Sequence, residues 1–378
     1  MKYRMLIFMI SGILVNCGTV NPPLPKFLTN TEVELENLSL PDGFKIEVYA
    51  SGVKNARSME LLPNGNLVVG TRDEGKVYML KDIDQDNVVD EILVLAEKLK
   101  MPNGVAFKDG DLYVAEVNRI IKFANIQSIT ENNAPFEVIY EDLPSETHHG
   151  WKYISFGPDG KLYIPVGAPC NVCEPEEEIF STITRINPDG TGFEIVQRGI
   201  RNTVGFDWHP ITGELWFTDN GRDWLGDDQP FCEINRASSD NLHFGFPYCH
   251  QGDLPDPEFG SKRPCSEFTS PAYNLGPHVA PLGMEFYTGN MFPSHFSNKI
   301  FIAEHGSWNR TEKNGYRVMV ATLEGNQVIK YEPFIEGWLD KELDEVSGRP
   351  VDIEIMPDGS MLVSDDYSDK IYRVVYNK

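Results

Sequence analysis

The stretch SFGPDGKLYIPVG, residues 155–167, decides the fold. Pro158-Asp159-Gly160 is turn chemistry: proline presets φ, and glycine accepts the positive φ that closes the turn. On either side apolar and polar residues alternate, as they do on a half-buried strand. The reading is a hairpin with strands over 152–156 and 161–166. The same unit recurs along the chain. LLPNGNLVVGTR carries it at Gly65, AFKDGDLYVAEV at Gly110, DWHPITGELWFTDNG at Gly213 and IEIMPDGSMLVSDD at Gly359. MFPSHFSNKIFIAEHG has a longer turn before Ile300.

The first four marker glycines lie 45, 50 and 53 residues apart, and the later units carry insertions. Repeats of about 40 to 50 residues with several strands each are the pattern of a β-propeller. Six hairpins predict an all-β, six-bladed β-propeller. A single blade cannot bury both faces of its sheet, whereas blades stacked around a ring can. The stretch LPDGFKIEVYAS, residues 40–51, also reads as a strand, and the last repeat ends close to the C-terminus in DKIYRVVYN. The early strand is therefore expected to complete the last blade, making residues 36–378 one domain.

The 378 residues carry a formal net charge of −24. That disfavours nucleic acid, whose phosphates must be neutralised by Lys and Arg. Lys2 and Arg4 precede an apolar run over 5–15, too short to span a bilayer as a mature helix. This is a secretory leader, and Leu14-Val15-Asn16-Cys17 resembles a lipoprotein box. Residues 1–17 are read as leader and 18–35 as a tether. The expected location is periplasmic or cell-surface, with membrane attachment only through a lipid on Cys17. Export favours disulfides. The expected pairs are Cys170–Cys173 and Cys249–Cys265, with Cys232 left over. Cys170 and Cys173 are followed by Glu174 rather than His, so they are not a haem attachment motif.

The repeat also serves as a ruler. Residues just ahead of each inner strand should lie at one mouth of the central channel. Arg57, Asn103, His149, Arg201 with Asn202, and Arg349 occupy that relative place. The exits of the following strands hold Arg72, Glu116, Asp219-Asn220, Glu304-His305 and Asp365-Asp366. Arginines, histidines and carboxylates converging on one cavity point to an anionic ligand beside a cation. Arginine suits carboxylates because its planar fork makes two parallel hydrogen bonds.

Beyond these patterns, the segments HHGWKYISFGPDGKLYIPVGAPCNVC, RGIRNTVGFDWHPITGELWFTDNGRDWLGDDQPFCEIN, FGFPYCHQGD, IAEHGSWNR and SGRPVDIEIMPDGSMLVSDDY carry a resemblance. The chain resembles the propellers of the soluble glucose dehydrogenase and sorbosone (pyranose) dehydrogenase type, which use pyrroloquinoline quinone (PQQ). The resemblance implies oxidation of an aldose or sugar aldehyde by hydride transfer to PQQ. It places His149 as general base, with His148 as its neighbour and second candidate. It places Arg201 and Asn202 on the quinone side, Arg201 also stabilising the charge that develops there. Arg349 matches the first of a late arginine pair, and Val351 stands where the second would be. Arg310 or His305 stands in for a family lysine in the fifth unit, Arg72 is expected to stack on or pair with the cofactor from the first, and the ruler adds Asn103 to the expected cofactor contacts.

The same resemblance implies Ca2+ on the quinone oxygen. Gly221 and Arg222 match the positions whose carbonyls hold it, and Asp227, Asp228 and Glu233 could hold a second calcium. The run KDIDQDNVVDE, which spaces Asp82, Asp84 and Asp86, is read as a solvated hairpin. With no haem motif, electrons must leave to an external acceptor. Two other readings are carried forward: a calcium-dependent lactonase-like hydrolase, which has no use for several axial arginines, and a non-catalytic, surface-anchored binding propeller.

Overall fold

The computed structural model describes residues 35–377. The leader, Cys17 and nearly all of the expected tether lie outside the described residues. The glycine turns close where the sequence puts them. In the tightest, Asp109 at φ 50° and Gly110 at φ 97° join Gly104–Lys108 to Asp111–Ala115. Two consecutive positive φ values match the right-handed twist of the flanking strands, which is why Asp-Gly serves there.

Each hairpin starts a blade of four antiparallel strands, and there are six such blades among the described residues, five as four-stranded sheets and one with a fifth strand added. Blade 1 is Ala56–Leu61, Leu67–Thr71, Val77–Lys81 and Glu91–Ala96. Blade 2 is Gly104–Lys108, Asp111–Ala115, Ile120–Phe123 and Glu137–Tyr140. Blade 3 is Ser155–Phe156, Leu162–Val166, Thr182–Ile186 and Glu194–Arg198, with Leu242–His243 added in parallel at its edge. Blade 4 is Phe206–Trp208, Leu215–Asp219, Phe231–Ala237 and Tyr273–Pro277. Blade 5 is Pro281–Phe286, Ile300–Glu304, Arg317–Glu324 and Gln327–Ile335. Blade 6 is Pro350–Ile355, Met361–Asp365 and Lys370–Tyr376, and its outer strand is Phe44–Ser51 from the other end of the chain. That strand pairs Phe44 with Tyr376 and Glu47 with Arg373, and the Arg373 Nη1–Glu47 Oε1 ion pair is 2.8 Å. The expected ring closure is present.

The hydrophobic core is divided into clusters between neighbouring blades. Val68, Met79, Val105 and Val114 pack blade 1 on blade 2. Tyr113, Ile164 and Val166 pack blade 2 on blade 3, and Ile183, Phe206 and Phe217 pack blade 3 on blade 4. Trp216 and Ile302 join blades 4 and 5; Phe301, Phe334 and Val363 join 5 and 6; Tyr49, Val69 and Leu362 join 6 and 1. Every blade thus buries both faces. The disulfides are Cys170–Cys173 and Cys249–Cys265, and Cys232 is a buried free thiol, as expected.

Candidate functional site

Because inner strands and second strands are antiparallel, the entry of one and the exit of the other lie at the same end of the ring. The loops at that end enclose a cavity of about 460 Å3. Its wall includes Arg57, Arg72, His149, Arg201, Asn202, Gly221, His305 and Arg349. Four arginines face two carboxylates, Asp223 and Asp366. On a chain of net charge −24 this is a cationic concavity.

His149 sits at φ 50° and lines the cavity, 9 % exposed. Its Nδ1 lies 2.9 Å from the Ala168 carbonyl oxygen. A carbonyl only accepts, so Nδ1 carries the proton and Nε2 is left with its lone pair. Burial, then the Arg201 charge and His148, push its pKa well below 6.5. The imidazole is therefore neutral at physiological pH. Beneath the same loop, the buried Lys152 donates from Nζ to the Gly150 carbonyl at 2.6 Å, and burial lowers its pKa to about 7.

The arginines differ in what they have left to give. Arg201 is held by Nε to the Asn171 carbonyl (2.9 Å), Nη1 to the Asn220 carbonyl (3.2 Å), and Nη2 to Asn171 Oδ1 (2.9 Å) and Asp223 Oδ2 (3.1 Å). Its fork is mostly occupied, so it acts chiefly as a fixed charge. Asn171 lies inside the Cys170–Cys173 loop, which ties that disulfide to the site. Arg349 donates Nε to His305 O (3.0 Å) and Nη2 to Gly306 O (2.9 Å), leaving Nη1 uncommitted among the described residues. Arg57 is 1 % exposed. It donates Nε to Asn103 Oδ1 and Nη1 to Asp366 Oδ2, both at 2.9 Å. Its buried Nη2 has no hydrogen-bond partner among the described residues. Leaving a buried charged donor unpaired is costly, so the atom calls for an anion. Arg72 lies over the Trp151 ring at 4.9 Å. His305 Nε2 is 2.7 Å from Asp366 Oδ1, and burial lowers its pKa to about 4 against the opposing pull of Asp366.

The strand-exit carboxylates hold the entry loops. Asp219 accepts from the backbone N–H of Arg201 (3.0 Å) and Asn202 (2.7 Å). Asp365 accepts from Arg349 N (2.9 Å), and Glu116 from Lys100 N (2.6 Å). Thus one acid at the same place in three blades fixes an entry loop, and in blades 4 and 6 that loop carries cavity side chains, Arg201, Asn202 and Arg349.

Several expected residues stand elsewhere. Asn103 does not reach the cavity: it is fully buried behind Arg57, its Nδ2 on Ser58 Oγ and the Lys152 carbonyl. His148 is exposed and off the wall. Gly221 lines the cavity; Arg222, expected to act through its carbonyl, is not part of the wall, and its side chain pairs with Asp256. Asp227, Asp228 and Glu233 do not converge. Asp228 is 89 % exposed, and Asp227 accepts from the Thr311 N–H at 3.0 Å. Glu233 points into a small inner pocket, where burial raises its pKa to about 8. Strand Phe231–Ala237 turns Glu233 inward, while the preceding loop leaves Asp228 exposed and Asp227 half-buried. Arg310 also misses the cavity wall: its Nε donates to the Asp227 carbonyl at 3.1 Å. Val351 packs with Val204 and Leu282 in a small apolar cluster that includes Trp151 at its edge. Among the described residues, the one group of three acidic or metal-type ligands within 4.8 Å of one another is Asp82, Asp84 and Asp86. Their oxygens fold the exposed turn, Asp82 accepting from Asn87 N at 2.9 Å.

Asn55, Trp151, Asp223, His278, Trp308 and Asn309 also line the cavity and were not singled out in sequence. Most lie on loops whose lengths vary between blades, where a fixed ruler fails. Trp151 stands two residues after His149 and was within reach of the ruler.

Known proteins of this fold are numerous. A pyranose dehydrogenase PQQ domain from Coprinopsis cinerea superposes with TM-score 0.76 at 17% identity, covering 89% of this chain and 97% of that one. A Trichoderma reesei carbohydrate-active enzyme of family AA12 gives 0.81 at 19%, covering 92% and 100%. The PQQ-bound aldose sugar dehydrogenase of Streptomyces coelicolor gives 0.64 at 18%, covering 89% and 99%. In sequence, a PQQ-dependent pyranose dehydrogenase of Coprinopsis cinerea is 31% identical over 120 residues, 27% of this chain and 16% of that protein. A protein of Borreliella burgdorferi named only "Uncharacterized protein" is 35% identical over 356 residues, covering 90% of this chain and 91% of its own. The chain has the six-bladed fold of the PQQ-dependent sugar dehydrogenases. Residues 30–373 match the family described as Domain of unknown function (DUF7133), and the chain belongs to that family.

Proposed function

We propose that this chain is an exported quinoprotein oxidoreductase, which oxidises an aldose or sugar aldehyde with PQQ as cofactor and Ca2+ beside it. The observation that carries the reading is the cationic cavity, whose wall includes four arginines, among them Arg57 with its buried, unpartnered Nη2. A flat tricarboxylate suits a wall of four arginines. Arg57 Nη2 and Arg349 Nη1 are donors with bonds still to make, and Arg72 offers a guanidinium face. The carbonyl-bearing wall at Gly221 would hold the calcium, a hard cation that takes oxygen ligands. When bound, PQQ supplies the hydride acceptor and calcium makes its carbonyl more electrophilic.

The chain's own residues handle the proton and the charge. His149 Nε2 takes the proton of the sugar hydroxyl, and the Nδ1–Ala168 bond keeps the ring in the tautomer that can do so. Arg201, braced by Asn171 and Asp223, stands ready as positive charge where negative charge develops. Being already fixed, it needs no reorganisation. The shared fold and the segment shared with a PQQ-dependent pyranose dehydrogenase support this reading. Electrons then leave to an external acceptor. Placement outside the cytoplasm, with a lipid anchor at Cys17, belongs to the same proposal, and two disulfides suit an oxidising compartment. Both cavity carboxylates are tied to arginines, which disfavours a lactonase-like metal centre.

The test is reconstitution of the metal-free protein with PQQ and Ca2+, followed by absorbance titration. A dye-reduction screen over aldoses, osones and aldehydes then finds the substrate. Arg57→Lys keeps the charge and loses Nη2. It should weaken PQQ binding by roughly 10- to 100-fold, the worth of a charge-assisted hydrogen bond, with the fold retained by circular dichroism. Failure of the unaltered protein to bind PQQ in the presence of Ca2+ overturns the proposal.

A further inference from the structure

Trp224 and Trp308 leave about two-thirds of their surface in water, 67% and 66%. Large bare aromatics grouped on a surface mark a binding site more often than chance exposure does. The rings meet edge to face, centroids 5.3 Å apart at 89°. Trp308 also lines the cavity, so the pair forms its lip.

The lip is built. Trp224 lies between the second and third strands of blade 4, and Trp308 between those of blade 5. The two loops are tied to each other: Arg310 Nε donates to the Asp227 carbonyl (3.1 Å), and Thr311 N–H to Asp227 Oδ1 (3.0 Å). His278 Nε2 meets the Gly226 carbonyl at 2.8 Å. Residues that sequence analysis assigned to metal and cofactor thus brace an aromatic platform instead. Trp224 itself is held at φ 69°, a left-handed conformation that a bulky side chain rarely adopts. Strain of this kind persists where surrounding structure enforces it, and it clusters at ligand clamps.

We propose that Trp224 and Trp308 form a stacking subsite for a second saccharide ring, so that the substrate is the end of an oligosaccharide. This rests on the sugar dehydrogenase reading above. A pyranose ring presents C–H groups on its faces, which pack on an indole, while its hydroxyls stay in water. Tryptophan supplies that surface with little side-chain entropy to lose. The cavity, about 460 Å3, lies toward the small end of ligand pockets, roughly 300–1,000 Å3. With a tricyclic quinone and one sugar ring inside, the next ring must lie outside, and Trp308 belongs to both regions. The braced loops spare the ordering cost of binding. Asp228 and Arg310 beside the platform offer polar partners to hydroxyls.

The test is calorimetric titration of the full mature chain without cofactor. The probes are tetrasaccharides of β-1,4-glucose, α-1,4-glucose and β-1,4-mannose, each against its monosaccharide. At least one tetrasaccharide should bind about tenfold tighter than its monosaccharide, a difference of about 1.4 kcal/mol. Trp224→Ala should reduce that preference to within about twofold, and Trp224→Phe should keep most of it. Absence of any chain-length preference, or a preference unchanged in Trp224→Ala, overturns the proposal. So does a Trp224→Ala protein altered only in its KM for the electron acceptor, which would make the pair an acceptor docking site. The saccharide titration needs no PQQ. Its answer stands apart from the PQQ titration that decides the reading beneath it.

Discussion

His149 is kept neutral by its place rather than by its chemistry. Burial disfavours its charged form, Arg201 and His148 repel a proton, and Lys152 adds to the repulsion while the Ala168 carbonyl partly offsets it. A base so placed remains available well below pH 6.5, where an exposed histidine would be half protonated. For the reconstituted enzyme, kcat/KM should stay level as pH falls through 6.5 and decline only further into acid. His149→Ala should lower turnover by about 100-fold or more, the usual worth of a general base, with PQQ still bound by absorbance titration. An acid limb centred at 6.5 or above, or full turnover in the variant, removes His149 from the proton step. At this scale the sequence ruler located His149, Arg201 and Arg349 because each sits one short step ahead of an inner strand. It misplaced Asn103 because that side chain turns back between blades, where it joins Arg57 to the Lys152 carbonyl.

The element that aims His149 is the strand Leu162–Val166 and the residue after it. A Cβ at Gly167 would lie 2.6 Å from His149 Cβ and 2.9 Å from its carbonyl oxygen. Both atoms belong to a loop already fixed by the Lys152–Gly150 bond, so neither can give way freely. Gly167→Ala should therefore displace the imidazole. The expected outcome is a drop in turnover much larger than the stability loss, the latter about 1–3 kcal/mol by denaturant melt. Normal turnover would mean that the loop relaxes without moving the base. Hairpins of this kind were legible because turn glycines and strand alternation are local signals. The connections between second and third strands in blades 4 and 5 were not. They have no periodicity, and their placement depends on Asp227, Arg310 and Thr311 meeting across two blades, which no local pattern encodes.

Across the whole ring, carboxylates on inner strands join blades that share no ladder. Asp207 of blade 4 accepts from Phe286 N of blade 5, and Asp352 of blade 6 from Met59 N of blade 1, both at 2.8 Å. Glu60, Glu285 and Glu354 stand near them, and burial together with mutual repulsion raises all three. Glu60 reaches about 8, Asp352 about 7 and Asp207 about 6, each led by burial. A carboxyl whose pKa is raised by folding contributes stability that is fully present below its unfolded value near 4. That stability is lost as pH climbs through the folded pKa. The depressed histidines, His148, His149, His243, His250 and His305, act in the opposite direction, but only below about pH 6.5. Between about pH 6.5 and 8 the carboxylates still titrate, joined by Glu233, while Lys152 pulls the other way from about 7. The melting temperature at fixed ionic strength should therefore fall from pH 6.5 to 8. Glu354→Gln, which removes one charge from the group, should flatten that slope. A melting temperature that rises over this interval would mean that the buried acids are neutralised by something other than their own protons.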